Sequence, residues 1–520
     1  MKLTINVFLL KSGRTIYDAL SDEHAIQPQQ FEIDDTSCLF YYQTNPSKPK
    51  WVDLFNDIDQ IDTTQMRGRS LQGVLVLAVN DRVFCFTFGH ARHLIEKASI
   101  ERYFGLRTAL SMTDPQLIKS IDKSNIDKIP LRSRSQSSKN LSISEFEFKF
   151  DSEILKSLTG IVESTDGDDH EIVSGSDSLS LHTDVQLAQL PAIAERLITA
   201  YEDERGKEKY PWMDHIVPVR DDSVSSALDE LLVSSVNQGL YNEIWIAAPR
   251  IIEYEGFSGF SYTSQRGRNG NGPVVGFELD LQRCLMEKAL VGNLSVEVAK
   301  STKIYLYGTD YNKIDTWTLY ECLSGEVELA GENYLLSEGD WYRIDRDYAS
   351  QVNHYFNVFP RSDIVFPRYN GAHEGDYLRS ISDGVVFHLL DQHNVRVNGA
   401  SSVIEFCDLL TSDNHIVHVK KYSSSSVLSH LFSQAYVSAE SLIHAPEIIE
   451  QVNAHLASQG THTFDFNPAA QPRHNHIIFA IMQSSQGALH MPFFSKVNFR
   501  QYSQRLVAMG YHVELAKIDI

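Results

Sequence analysis

The sequence predicts a multidomain protein of α/β and α+β character, and three observations carry that expectation. Its 520 residues, 42% of them hydrophobic, suffice for more than one core. From Val385 onward, short apolar runs alternate with stretches of helical periodicity, as an α/β sheet requires. Between Lys303 and Arg346 the pattern is instead one of short strands separated by turns. The expected units are residues 1–215 (α+β), 216–364 (α+β with an antiparallel meander) and 365–520 (a mixed sheet flanked by helices).

From the N-terminus, Leu3 to Leu10 reads as a strand, SGRTIYDAL as a helix and FEIDDTSCLFYYQ as a second strand. In residues 71–88, LQGVLVLAV and VFCFTF flank Asn80-Asp81-Arg82; two nearly all-apolar arms imply a hairpin in the buried centre of a sheet. GHARHLIEKASIERYFGLRTAL follows with helix-compatible spacing; His90 and His93 could begin a metal site, but no third ligand accompanies them. KIPLRSRSQSSKNLSIS (128–144) reads as a polar, basic loop. STDGDDHE (164–171) lacks the terminal glutamate of a calcium loop at the required offset, so a solvated loop is expected. In VQLAQLPAIAERLITAYED, Leu187, Leu190, Ile193, Leu197 and Ile198 form one apolar stripe of a helix.

In the middle region SVSSALDELLVSSVNQ reads as a helix and EIWIAAPRII as a strand. QRGRNGNGP (265–273) is glycine-rich, yet lacks the G-K-[ST] of a phosphate-binding loop, and a surface loop is expected. KIYLYG, WTLYECL, VELA, NYLLS and DWYRI fit a meander that should pack against the C-terminal unit. There, a helix should open at Glu374 beyond Pro367 and Gly371. Strands follow at 385–391, 403–410 and 415–422, then a helix from Val427 after four serines. A helix at 446–457, a strand at 475–482, a helix at 495–510 and a closing strand complete the chain.

Charge and cysteine usage bound the function classes. The net charge is −22, which opposes binding a polyanion, but from Arg67 to Lys139 thirteen Lys/Arg stand against six Asp/Glu. That local excess suits phosphate contact, with Arg92, Arg102, Arg107, Arg132 and Arg134 as candidates; a solvated basic face explains it equally well. Five scattered cysteines without a C-x-x-C argue for reduced thiols and against a zinc ribbon. No eighteen apolar residues run together and no secretory leader is evident, so a cytoplasmic protein without a membrane partner is expected.

The C-terminal unit carries the chemistry. Asp408 precedes His418 by ten residues and Lys420 by twelve. His418 and Lys420 share a strand face by the period of two, and a short turn would set Asp408 beside them. A glutamate from the preceding helix could complete the cluster. Carboxylates of this kind hold hard divalent cations, and a neighbouring lysine can orient water and balance phosphate charge.

The order helix (Glu374), strand, strand (Asp408), strand (x-Val-Lys420), helix resembles the PD-(D/E)xK nuclease superfamily. The resemblance implies a restriction-endonuclease-like mixed sheet flanked by helices in the last 150 or so residues. It implies Glu374 and Asp408 as metal ligands, Lys420 as catalytic lysine, and Gln434 where several nuclease subfamilies place a glutamine. The pattern departs at His418, which stands where an acid is expected. Imidazole is a poor Mg²⁺ ligand, so Asp408, a main-chain carbonyl and Glu374 hold the ion, or the metal is softer, or the site is inactive. His418 could also assist as a base.

Nearly the whole chain also resembles a sporadically distributed bacterial family of unknown function, on phrases such as NVFLLKSGRTIYDAL, YLLSEGDWYRIDRDY and HVKKYSSSSVLSHLFSQ. That resemblance implies a setting near mobile elements and defence genes, and no reaction. The combined expectation is an Mg²⁺- (or Mn²⁺-) dependent nuclease in antiviral defence, acting on DNA before RNA, as a homo-oligomer or with a defence-system partner. The alternatives are a catalytically inactive nuclease-like module that binds nucleic acid or a partner protein, and a scaffold subunit.

Overall fold

A computed structural model describes residues 2–520 except 22–23, 25, 48–51, 53–62, 126–130, 151–152, 163–170, 204–208, 242, 253, 265–275, 309–312, 370, 372, 392–393, 397–402, 424, 446, 461–462, 467–474 and 485–486. The chain divides into two compact units, residues 1–124 with 132–213, and residues 125–131 with 214–520. The expected loops at 164–171 and 265–273 fall almost wholly outside the described residues.

The first unit is built on one ten-stranded sheet. Its strands are β1 (Lys2–Leu9), β2 (Gln29–Ile33), β3 (Thr36–Ser47), β4 (Gly68–Val79), β5 (Arg82–Phe88), β6 (Thr113–Asn125), β7 (Arg132–Leu141), β8 (Glu153–Val162), β9 (Ile172–Gly175) and β10 (Leu179–Asp184). They are ordered β2-β3-β4-β5-β1-β10-β9-β8-β6-β7. The β4–β5 hairpin is interior. Leu75 and Leu77 face helices α1 (Phe104–Met112) and α2 (Leu190–Glu202), while Val74 and Val76 face Ala91, Leu94 and Ile95. Both faces are covered, which is why the arm is apolar throughout. Asn80 and Asp81 take φ of 50° and 58°, the left-handed pair a two-residue hairpin turn needs. Asp34 and Asp35 repeat the device at 43° and 62°, so FEIDDTSCLFYYQ is a hairpin, β2–β3, and not one strand.

Three other expectations in this unit are corrected. SGRTIYDAL forms only a single 3₁₀ turn, Ile16–Asp18, because Asp18 Oδ2 accepts from Thr15 N (2.7 Å) and closes the turn locally. The stretch after Gly89 is two 3₁₀ turns before α1 begins at Phe104. The basic loop is the edge strand β7 over Arg132–Leu141, whose alternating polar residues stay partly or fully exposed. The α2 stripe is largely as expected, although Leu187 lies outside the helix and is exposed. Helix α1 sits very close to the β9–β10 turn. A Cβ on Gly105 would fall 1.9 Å from the Ser178 carbonyl oxygen, and one on Gly175 2.0 Å from that of Gly105.

The second unit opens with a sheet ordered β11-β18-β17-β16-β12 and a small one ordered β13-β14-β15. The strands are β11 (Ile216–Pro218), β12 (Ile244–Ile246), β13 (Phe257–Ser261), β14 (Lys303–Gly308), β15 (Lys313–Thr318), β16 (Leu323–Leu329), β17 (Glu332–Ser337) and β18 (Asp340–Ile344). Helices α3 (Asp222–Asn237), α4 (Leu281–Glu287), α5 (Val296–Ser301) and α6 (Leu319–Cys322) accompany them. The meander is therefore split between two sheets, because Leu319–Cys322 coils after Thr318, which caps it by accepting from Glu321 N. Asp229 of α3 is the buried anchor of this layer, accepting from Trp341 Nε1 (2.8 Å), Tyr320 Oη (2.6 Å) and Lys300 Nζ (2.8 Å).

The rest of the unit holds the candidate site. Its elements are α7 (Arg346–Val358), α8 (Glu374–Ile381), β19 (Phe387–Leu389), β20 (Asn394–Arg396), β21 (Val403–Glu405), β22 (Leu409–Thr411), β23 (Ile416–Lys421), α9 (Ser425–His444), α10 (Glu447–Ser458), β24 (His476–Gln483), α11 (Phe493–Ala508) and β25 (His512–Asp519). A mixed sheet runs β19-β22-β23-β24-β25, antiparallel up to β23 and parallel beyond it, with β20–β21 as a separate hairpin. Ile477, Phe479 and Ile481 face α7, α9, α10 and α11; Ile478, Ala480 and Met482 face α8. β24 is thus covered on both sides, and its apolar run follows from that. Helix α7 belongs to this core through Phe356, although it lies upstream of residue 365. Tyr422 Oη donates to Glu243 (2.9 Å) and so ties the end of β23 to the β12 region.

Candidate functional site

The site forms where β23 ends. The strand is central, so Lys420 and Lys421 do not guard an edge. Their side chains leave on opposite faces. Lys421 lies over the Tyr369 ring, 5.0 Å from its centroid, while Lys420 Nζ donates to Glu374 Oε1 at 2.7 Å. Glu374 is the first residue of α8, where the helix dipole favours a carboxylate. Its second oxygen accepts from Lys421 N at 2.9 Å.

Asp408 reaches the same place through a break in strand pairing. Its N–H donates to Val417 O (3.1 Å) although Leu409 is the residue in register with Val417, so two residues oppose one, as in a bulge. The side chain then substitutes for a main-chain acceptor: Val419 N donates to Asp408 Oδ2 at 2.7 Å. The sequence pattern predicts a single strand through 403–410. Alternation along such a strand would put Glu405 and Asp408 on opposite faces. The chain instead leaves β21 at Glu405 and enters β22 at Leu409, and the intervening bulge turns both carboxylates inward.

Asp391, Glu405 and Asp408 each offer an oxygen, and those atoms lie within 4.8 Å of one another. Asp391 lies two residues beyond β19, and Glu405 closes the β20–β21 hairpin. Neither was singled out from sequence, and an acid at a strand end was the only signal available. Gln434 of α9 donates from Nε2 to Glu405 Oε2 at 2.6 Å.

The electrostatics follow from the crowding. Burial, then the charges of Glu405 and Glu374, push the Asp408 carboxyl up to about 7 against the opposing Val419 hydrogen bond and Lys420. Asp391 is raised by burial first and by Glu405 and Glu374 next. For Lys420 burial acts downward, but the Glu374 hydrogen bond and the surrounding carboxylates outweigh it, and its pKa is raised. The lysine is therefore a fixed ammonium facing four acids.

His418 is not brought to this cluster. It is fully buried, paired in register with Phe479, and both its ring nitrogens lack a hydrogen-bond partner. Burial alone drives its pKa down to about 3, so the imidazole is neutral at ordinary pH. Strand alternation gives it the Lys420 face, but two residues earlier that face is already under the helices. The expected base and softer-metal roles find no geometric support.

Five of the six candidate nucleic-acid residues lie in the first unit. Arg92 and Arg102 both meet Asp177, at 3.4 Å and 2.9 Å. The Arg107 guanidinium lies 5.2 Å from the Tyr201 ring centroid. Arg134 forks Asp122 at 2.7 Å and 2.6 Å, and Arg132 sits on β7 opposite Ser124. Gln434, the sixth candidate, holds Glu405.

The profile of DUF6119, a family of unknown function, matches residues 5–519. The chain belongs to the DUF6119 family. Neither a curated protein nor a solved structure matches this DUF6119 chain. The whole-chain resemblance to a family of unknown function is thereby established, and membership adds no reaction to it. All five cysteines of the DUF6119 chain are buried free thiols. Among the described residues, no helix is long and apolar enough to cross a membrane.

Proposed function

We propose that this protein is a divalent-metal-dependent nuclease that hydrolyses phosphodiester bonds, DNA before RNA, in antiviral defence, and that its C-terminal sheet is restriction-endonuclease-like. The observation that carries this reading is the convergence of Glu374, Asp391, Glu405 and Asp408 on Lys420 from separate elements. The order of α8, three strands of one sheet with Asp408 just before the second and Lys420 on the third, and α9 supports it further.

The donor set fits a hard cation such as Mg²⁺ or Mn²⁺. Three carboxylates are close enough to share one ion, no imidazole or thiol stands among them, and their mutual repulsion is what a cation relieves. Such an ion supplies charge neutralisation for the phosphoryl oxygens. The Lys420 ammonium is placed to bind a non-bridging phosphate oxygen or orient the attacking water, and Glu374 fixes its direction. In the reaction the water oxygen bonds to phosphorus, one ester P–O bond breaks, and the departing oxygen takes a proton.

The second reading, an inactive module that binds nucleic acid or a partner, is favoured by the engagement of Lys420 by Glu374 at 2.7 Å. One experiment separates them: pure protein is incubated with plasmid, linear DNA and RNA in Mg²⁺ or Mn²⁺, beside Asp408→Ala and Lys420→Ala. Degradation that both variants lose supports the nuclease. Binding without cleavage in either metal supports the module.

A further inference from the structure

We infer that Glu374 is a positioning residue for Lys420 and not a ligand of the cation, whose ligands are Asp391, Glu405 and Asp408. This rests on the cation-site reading above and departs from the usual pairing of helix acid with strand acid.

Three observations support the division of labour. Both Glu374 oxygens are already used, Oε1 by Lys420 Nζ at 2.7 Å and Oε2 by Lys421 N at 2.9 Å. A carboxylate held at both ends, once by a side chain and once by main chain, has a fixed plane and fixes the ammonium it grips. Glu374 is also outside the group of carboxylates whose oxygens approach within 4.8 Å. Finally, the position two before the lysine is the core residue His418, so no acid comes from β23 itself. Asp391, from the end of β19, and Glu405, from the β20–β21 hairpin, stand beside Asp408 in its place. Gln434 donates to Glu405 Oε2 at 2.6 Å and so holds that carboxylate in place.

The test uses the full-length protein in two arms. In the first, Mn²⁺ uptake is measured by electron paramagnetic resonance at pH 8 for the wild type, Asp391→Asn, Glu405→Gln, Asp408→Asn and Glu374→Gln. The three ligand variants should weaken binding about tenfold or more, as loss of a charged ligand does, while Glu374→Gln stays within about threefold. A loss in Glu374→Gln equal to that in Asp408→Asn overturns the inference. In the second arm, without metal, Lys420 acylation is followed by mass spectrometry. Losing an opposite charge at contact distance shifts an amine by about one pKa unit or more, so Glu374→Gln should raise the rate about tenfold. Glu374→Asp should restore part of the protection. An unchanged rate overturns the positioning role. A wild type that takes up no Mn²⁺ removes the cation reading and the ligand assignment, and the amine arm still decides what Glu374 does.

Discussion

In the first unit, described arginines and aspartates meet in small sets of opposite charge: Arg92 and Arg102 share Asp177, and Arg134 forks Asp122. At the end of β23 in the second unit, four carboxylates face the ammonium of Lys420. The charge count along the sequence points the other way, with its positive excess in the first unit. The contrast teaches that a run of like charge need not make a field when its partners come from other strands. A few acids drawn together from distant positions make one that the count does not show.

The largest effect expected from this contrast is on the acid cluster. Asp408→Asn should lower Mn²⁺-supported cleavage of plasmid DNA by at least about a hundredfold, the scale seen when charge stabilisation at a reacting phosphoryl group is removed. Cleavage at the wild-type rate would place any catalytic centre elsewhere. His418→Leu should act in the opposite sense. Replacing an orphaned buried imidazole by a hydrophobic group of similar size should stabilise the fold by about 1–3 kcal/mol in urea titration, with cleavage unchanged. A large loss of cleavage without destabilisation would return His418 to the mechanism.

The same two residues set a pH dependence. His418 titrates near 3 folded and near its ordinary 6.5 unfolded, so below about 6.5 the unfolded chain binds the extra proton and stability falls with acid. Asp408 titrates near 7 folded against 3.8 unfolded, so below about 7 the folded chain binds the extra proton and stability rises with acid. Between about 3.8 and 6.5 the two largely offset each other. In Asp408→Asn the offset disappears, and stability should drop by about 1.4 kcal/mol per pH unit below about 6.5. A curve parallel to the wild type would show that one of these groups is not buried as described.

The smallest effects belong to the arginine pairs. Arg92 and Arg134 are 61% and 63% exposed, so Arg92→Ala and Arg134→Ala should each cost under about 1 kcal/mol. If the pairs are structural, DNA affinity and its salt dependence stay unchanged. A fall in affinity with a salt slope shallower by about one would make the replaced arginine a phosphate contact and narrow the contrast between the units.

Much of the C-terminal fold was legible because its core strands and helices obey single periodicities. The expected helix at Glu374, the strand over 415–422 and the strand–helix–strand series after 475 lie within a few residues of α8, β23, β24, α11 and β25. The first unit was less legible. β8, β9 and β10 fall in an acidic stretch whose strand character comes from neighbours, and β7 is a polar edge strand that looks like a loop. At the site, Asp408 and Lys420 came from a pattern of spacing, and Glu374 from the resemblance to the PD-(D/E)xK order of elements. Asp391 and Glu405 could not, because only the bulge before Leu409 and the separate β20–β21 hairpin turn them inward. His418 stood in the right place along the strand and at the wrong depth.

Helix α7 has a practical bearing on dissection of this chain. Phe356 and Phe359 pack with Phe499, and the segment after the helix pairs with the outer strand of the sheet, Leu515 N donating to Pro360 O (3.0 Å) and Ser362 N to Leu515 O (2.9 Å). A fragment trimmed to residues 365–520 would lay bare an aromatic wall and an unsatisfied strand margin at once, and should aggregate when expressed. The shortest truncation with a chance of staying in solution must therefore begin upstream of Asp345, the residue that caps α7.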